Sequence, residues 1–243
     1  RAPANPVPQG RTSRQLLEGK GVVGVRSFTI NGNTHSERDL GLRVTRPPVL
    51  PTSQRVVEHL EVLGREGTLT RMQGWEDQEL SFQAAVQGQD LIGQYRKATA
   101  ALIAAKTLEL STSPGVFYQV KTVMVGGLQQ LFAGFAVFEI QMRLAPFAYL
   151  LDVPVVEFTG QKTLLNVGTA YSQPVITLEG TGTHTLTVNG QVFSVKSPTG
   201  LLTIDSALRV CRVGTKAGAD AIAPDYPELR TRSNTVKVSA RVT

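Results

Sequence analysis

The sequence predicts a mainly β protein of two domains: an N-terminal β-barrel or sandwich-like domain carrying one α-helix, then a C-terminal β-sandwich. Three observations lead there. The chain has 243 residues, more than the roughly 100–150 of a common single domain. Most of its apolar residues alternate in short runs broken by Gly, Pro, Asn and Asp, the period of half-buried strands. Only one stretch, Gln89 to Ala105, changes to helical spacing.

Taken in order, residues 1–20 contain Pro, Gly and Arg with little periodicity and read as an N-terminal arm. Residues 21–150 form the first domain. It opens with a strand pair around Asn31-Gly32, a two-residue turn signal. Pro47, Pro48 and Pro51 impose an extended link. Val56 to Leu63 and Thr68 to Met72 flank Gly64-Arg65-Glu66-Gly67, which reads as a hairpin tip, and a strand follows over Glu79 to Val86. In the helix, Leu91, Ile92, Tyr95, Ala98 and Leu102 are expected to face the core, with Asp90 as N-cap. Phe117 to Val125 and Leu131 to Leu144 return to β pattern. The second of these is apolar enough to suggest burial on both faces, and Pro146 is expected to end it.

Residues 151–243 form the second domain, with about eight short runs separated by turn residues, the spacing of a β-sandwich. A two-residue turn at Asn189-Gly190 would set Val188 opposite Gln191, Leu186 opposite Phe193 and His184 opposite Val195. The last run alternates through Val236, Val238, Ala240 and Val242.

Composition narrows function by exclusion. With 41% hydrophobic and 18% charged residues the chain can bury real cores. No apolar run approaches the roughly 18 residues of a membrane span, so no membrane insertion is expected. The net charge of +6 divides as 16 basic against 12 acidic residues up to position 150 and 9 against 7 after it. This even spread, without a basic block, lacks the footprint of sequence-specific nucleic-acid binding. The single cysteine, Cys211, excludes an internal disulfide, and it reads as a small core residue. His35, His59 and His184 lie in separate segments without ligand spacing, so no metal is expected. No nucleotide fingerprint or nucleophile elbow occurs, and neither cofactor nor catalytic residue is assigned.

Two chemical alternatives have residues behind them. Glu76, Asp77 and Glu79 could supply the paired carboxylates of a glycosidase, against the plainer reading of a solvated turn. Trp75, Tyr171 and Tyr226 could stack on sugar rings, as in a carbohydrate-binding adhesin, against ordinary packing roles.

The order of several segments resembles the distal tail protein of long-tailed, non-contractile bacteriophages from about Phe28 onward. The residues that carry it are Asp39-Leu40-Gly41-Leu42, read as a strand; Leu63 to Gly67, similar to a Gly-Arg-Asp-Gly loop of the family; Ala145-Pro146-Phe147-Ala148-Tyr149; and Asn166-Val167-Gly168 followed by Ser172 to Ile176. Leu186 to Gly190, Thr203 to Ser206, and Tyr226-Pro227-Glu228-Leu229 leading to Asn234 continue it. Arg232 departs from the family, which commonly has Gly two residues before that Asn.

The resemblance implies a ring-forming first domain and a galectin-like sandwich as the second, acting as a docking platform. The assembly it implies is a homo-oligomeric, six-fold ring at the tail tip of the virion. One face of the ring would meet the tail tube protein and the other the tip or baseplate proteins, and the subunit would be made in the host bacterial cytoplasm. Gly64, Arg65, Glu66 and Gly67 are expected at a subunit or partner contact. The arm is expected to reach a neighbour through Arg11 and Arg14 as charges and Leu16 and Leu17 as apolar contacts.

Overall fold

The structure, a computed structural model, describes residues 27–46, 48–50, 52–197, 200–214, 216–217, 222–223 and 225–242. The chain divides into two compact units between Asp152 and Val153.

The first unit contains β1 (Phe28–Ile30), β2 (Thr34–His35), β3 (Leu42–Arg46), β4 (Arg55–Glu61), β5 (Thr68–Trp75) and β6 (Gln78–Gln87). The helix α1 (Leu91–Ile103) follows, then β7 (Thr107–Leu110), β8 (Val116–Val125), β9 (Gln129–Phe132) and β10 (Phe135–Leu150). Eight strands make an antiparallel sheet in the order β2-β1-β7-β8-β10-β6-β3, with β9 also on β10. Four strand spacings separate β1 from β6, roughly 19 Å across a flat sheet. Yet the rings of Phe28 on β1 and Phe82 on β6 meet edge to face with centroids 5.4 Å apart. The sheet therefore curls around its own core, as the barrel-like expectation requires.

Leu91, Ala98 and Leu102 of α1 are buried in that core, and the Asp90 carboxylate accepts the Gly93 N–H at 2.8 Å as the N-cap. Ile92 is the exception. It lies about 100° round the helix from Leu91, outside the arc that meets the sheet, and is 60% exposed.

Three expectations for this unit need correction. Leu131 to Leu144 is not covered on both faces: Ala136, Phe138, Ile140, Met142 and Leu144 face the core, while Glu139, Gln141 and Arg143 face solvent. The neighbouring strands are equally polar on that side, with Glu79 and Ser81 of β6 and Lys121 of β8. Pro146 does not end the strand either. The register with β8 shifts between Leu144 and Ala148, so the missing N–H falls in an irregularity where the ladder does not need it. Asp39 to Leu42 is mostly turn, and β3 begins only at Leu42. There the Asp39 carboxylate accepts the His35 N–H at 2.8 Å. The adjacent Arg38 guanidinium, followed by that backbone bond, holds its pKa down at about 2.

The second unit contains β11 (Phe158–Asn166), β12 (Val175–Glu179), β13 (Gly182–Val188), β14 (Gln191–Ser197), β15 (Leu201–Asp205), β16 (Val210–Val213), β17 (Lys216–Ala217), β18 (Ile222–Ala223) and β19 (Arg232–Val242). One layer runs β17-β16-β15-β12 and the other β14-β13-β19-β11, with β18 on β14. They are joined where the end of β19 also pairs with β12. Ile176, Leu178, Leu202, Ile204 and Cys211 from one layer meet Leu186, Val188, Phe193, Val195, Val236 and Val238 from the other, which makes the sandwich core. The Asn189-Gly190 hairpin has the expected register, Leu186 opposite Phe193. Burial raises the pKa of the Cys211 thiol.

Arg232 adopts φ 70°, the left-handed conformation that glycine takes without penalty. Arg232→Gly is therefore expected to stabilise the second unit by about 1 kcal/mol, seen as a rise in its urea midpoint. An unchanged or lower midpoint would refute the strain argument.

Candidate functional site

β4 and β5 form a two-stranded sheet of their own, outside the eight-stranded sheet. Their sequences, RVVEHLE and TLTRMQGW, alternate without a buried face. At the tip, Gly64 and Gly67 both take positive φ, 82° and 77°, and the Arg65 N–H donates to Val62 O at 3.1 Å. Leu63 is fully exposed. The Arg65 and Glu66 side chains are exposed and make no ion pair with a described residue.

The pairing places Val57 opposite Met72, His59 opposite Thr70 and Glu61 opposite Thr68 on one face. Leu60 opposite Leu69 and Glu58 opposite Arg71 lie on the other. Such cross-strand pairs contribute roughly 0.2–1 kcal/mol each, and a lone two-stranded ribbon is marginal in water. The root is better held. Trp75 meets Phe147 edge to face at 5.7 Å, and the Arg55 guanidinium sits 5.0 Å from the Trp75 ring centre. Gln78 Nε2 donates to Ser53 Oγ at 2.8 Å and to Pro146 O at 2.5 Å. The ribbon is thus anchored at its base and exposes Val57, Leu60, Leu63, Leu69 and Met72 beyond it.

This gathers the predicted Gly64, Arg65, Glu66 and Gly67 at the end of a protruding element. Arg11, Arg14, Leu16 and Leu17 lie outside the described residues, as does the whole predicted arm. Sequence reasoning missed the apolar residues along both ribbon faces. Their alternation resembles that of any half-buried strand, and only the lack of a third strand among the described residues reveals them as uncovered.

The other candidates disperse. Asp77 accepts from Lys121 Nζ at 2.5 Å and from Arg143 Nε at 3.1 Å. The Lys121 hydrogen bond is the main force holding its pKa below the ordinary carboxylate value, which is the wrong direction for a general acid. Glu79 stands opposite Arg143 on the polar sheet face, not across a cleft from another acid. Because the folded pKa is lowered, the stabilisation by Asp77 is complete above about pH 4 and disappears as pH falls through the lowered value. The urea midpoint of Asp77→Asn is expected to fall less than that of wild type when pH drops from 5 to 2. Parallel curves would contradict it.

Trp75 is engaged in the first unit, whereas Tyr226 packs against the core of the second. Among the described residues no group of three His, Cys, Asp or Glu side chains could hold a metal ion. No described helix is long and apolar enough to cross a membrane.

No protein-family model matches the chain, and no curated protein matches it. Among solved structures, the Dit protein of phage SPP1 is similar over 90% of this chain and 96% of that one, at 16% identity and a TM-score of 0.62. It is described as a paradigm of the hub adsorption apparatus in phages infecting Gram-positive bacteria. Structures of the phage P2 baseplate in its activated conformation, with calcium and with strontium, match 88% of this chain and 98% of theirs. Their identities are 10% and 11%, with TM-scores of 0.38 and 0.39. The likeness to the SPP1 protein shows that this chain has the fold of a phage distal tail protein.

Proposed function

We propose that this chain is a structural subunit of a phage tail tip: a hub protein, not an enzyme, that closes into a hexameric ring between the tail tube and the tip or baseplate proteins. It would be made in the host bacterial cytoplasm and carried in the virion. The observation that carries this reading is the β4–β5 ribbon, read beside the distal-tail fold. An anchored ribbon with apolar residues on both faces is incomplete as a monomer, and a closed ring of copies completes every ribbon equally. The mixed signs on the polar sheet face, Glu79, Glu139, Lys121 and Arg143, suit a surface that does not grip a polyanion.

The second unit supports docking better than sugar binding. The solvent side of the β11-β19-β13-β14 layer presents Gln161, Thr163, Thr235, Lys237, Thr187 and Ser194, none with a ring to stack on a pyranose. A glycan array is expected to show no specific binding at micromolar strength, and a specific hit would revive the adhesin reading.

The test of the main reading is assembly mass. Native mass spectrometry and light scattering of the purified full chain are expected to show a closed six-subunit species at high concentration. A protein that stays monomeric at every concentration, or polymerises into open filaments, would overturn it.

A further inference from the structure

The outward face of α1 is as incomplete as the ribbon. Ile92 and Ile103 are 60% and 63% exposed. With Arg96 between them they lie at i, i+4 and i+11, one stripe down the helix. Ala100, also exposed, adds no bulk beside that stripe. The ribbon face bearing Val57, Met72 and Glu61 offers the counterpart: two apolar side chains, 40% and 66% exposed, and one acid. Neither Arg96 nor Glu61 makes an ion pair with a described residue. With Glu61 set on Arg96, the Val57–Met72 pair lies about 13 Å along the ribbon and Ile103 about 10.5 Å along the helix, so the charged and apolar groups meet in one alignment. Packing against a helix is also one of the few ways to make a two-stranded ribbon stable.

Resting on the ring reading above, we infer that the α1 stripe Ile92–Arg96–Ile103 of one copy is the seat for the Val57–Met72 face of the next copy's ribbon. The occupant is a second copy because one unit carries both surfaces, complementary in charge and in the spacing of charged to apolar groups, and no described residue covers either. Face and counter-face differ, so the contact is head to tail, the type that closes into a ring when its rotation allows. In it Glu61 pairs with Arg96 of the neighbouring copy.

The test uses the full chain and five exposed positions, none of which belongs to a core. Arg96→Glu and Glu61→Arg are each expected to weaken assembly by about tenfold or more through like-charge contact, and the double variant is expected to restore it. In a second arm, Met72→Cys is combined with Ile92→Cys or with Ile103→Cys and oxidised. One of the two pairs is expected to give a ladder of cross-linked chains. Cys211 is buried and contributes no background. Wild-type-like assembly of both charge variants, with neither cysteine pair cross-linking, would overturn this seat while leaving the ring intact. Self-linking of Met72→Cys alone would indicate a symmetric contact and overturn it too. A wild-type chain that never assembles removes the ring reading itself, a different result from either.

Discussion

Asn234→Ala is expected to destabilise the second unit by about 3–5 kcal/mol while leaving the first unit unchanged. Asn234 is fully buried at the start of β19 and serves four partners. Its Oδ1 accepts from Asn189 Nδ2 at 2.8 Å and from the Arg230 N–H at 2.7 Å. Its Nδ2 donates to Arg230 O at 2.8 Å and to Arg232 O at 3.1 Å. Asn189 in turn bonds the Thr235 backbone in both directions, so one side chain ties the β13–β14 turn to the strand that spans both layers. Removing it strands several polar groups at once, each costing roughly 1–3 kcal/mol when buried unpaired, less what water entry and relaxation recover.

The single tryptophan, Trp75, lies in the first unit. Its fluorescence in urea should follow wild type, while amide exchange in β13 and β19 quickens. Asn234→Asp keeps the acceptor but not the donor, so an intermediate loss is expected. A loss below about 1 kcal/mol for alanine would show that the network is not what holds this corner.

The contrast between Asn234 and its surroundings shows what the sequence made legible. The Asn189-Gly190 hairpin and the alternation of Val236 and Val238 are local patterns, set by turn chemistry and the two-residue period, and they could be read directly. The network through Asn234 joins residues 45 positions apart, which no window along the chain brings together. The same limit explains Ile92. The helix was legible from its spacing, but the side it turns to the core depends on where a curled sheet lies. Pro146 misled because the usual rule places proline at strand ends, whereas the register shift beside it relieves the ladder. Gly64 to Gly67 were readable as a tip, since glycine and charge mark turns. That no third strand among the described residues joins the hairpin is a matter of topology.

Excising the ribbon beyond its base is expected to abolish assembly without unfolding the chain. Replacing residues 58–71 by an Asn-Gly turn keeps the Val57–Met72 pair and the root contacts of Trp75 with Phe147 and Arg55. It removes Leu60, Leu63 and Leu69, none of which contributes to either core. The monomer therefore loses little, because two-stranded pairing that far from the core is worth only a few tenths of a kcal/mol per pair. Assembly loses much more. Burial of a fully exposed Leu side chain contributes roughly 1.5–3 kcal/mol; Leu63 is fully exposed while Leu60 and Leu69 are each 41% exposed, so the three at each subunit contact, partly offset by ordering costs, correspond to about tenfold or more in association. The same contact recurs at every step round a closed ring, so the loss multiplies and only monomer is expected by native mass spectrometry, with circular dichroism and the thermal midpoint close to wild type. Arg65→Ala alone should give a smaller deficit, since it removes one charged contact at the tip and none of the apolar ones. A truncated chain that still forms the full ring would mean that the retained Val57–Met72 pair or other surfaces close it. A truncated chain that unfolds would mean that the ribbon belongs to its own unit's core.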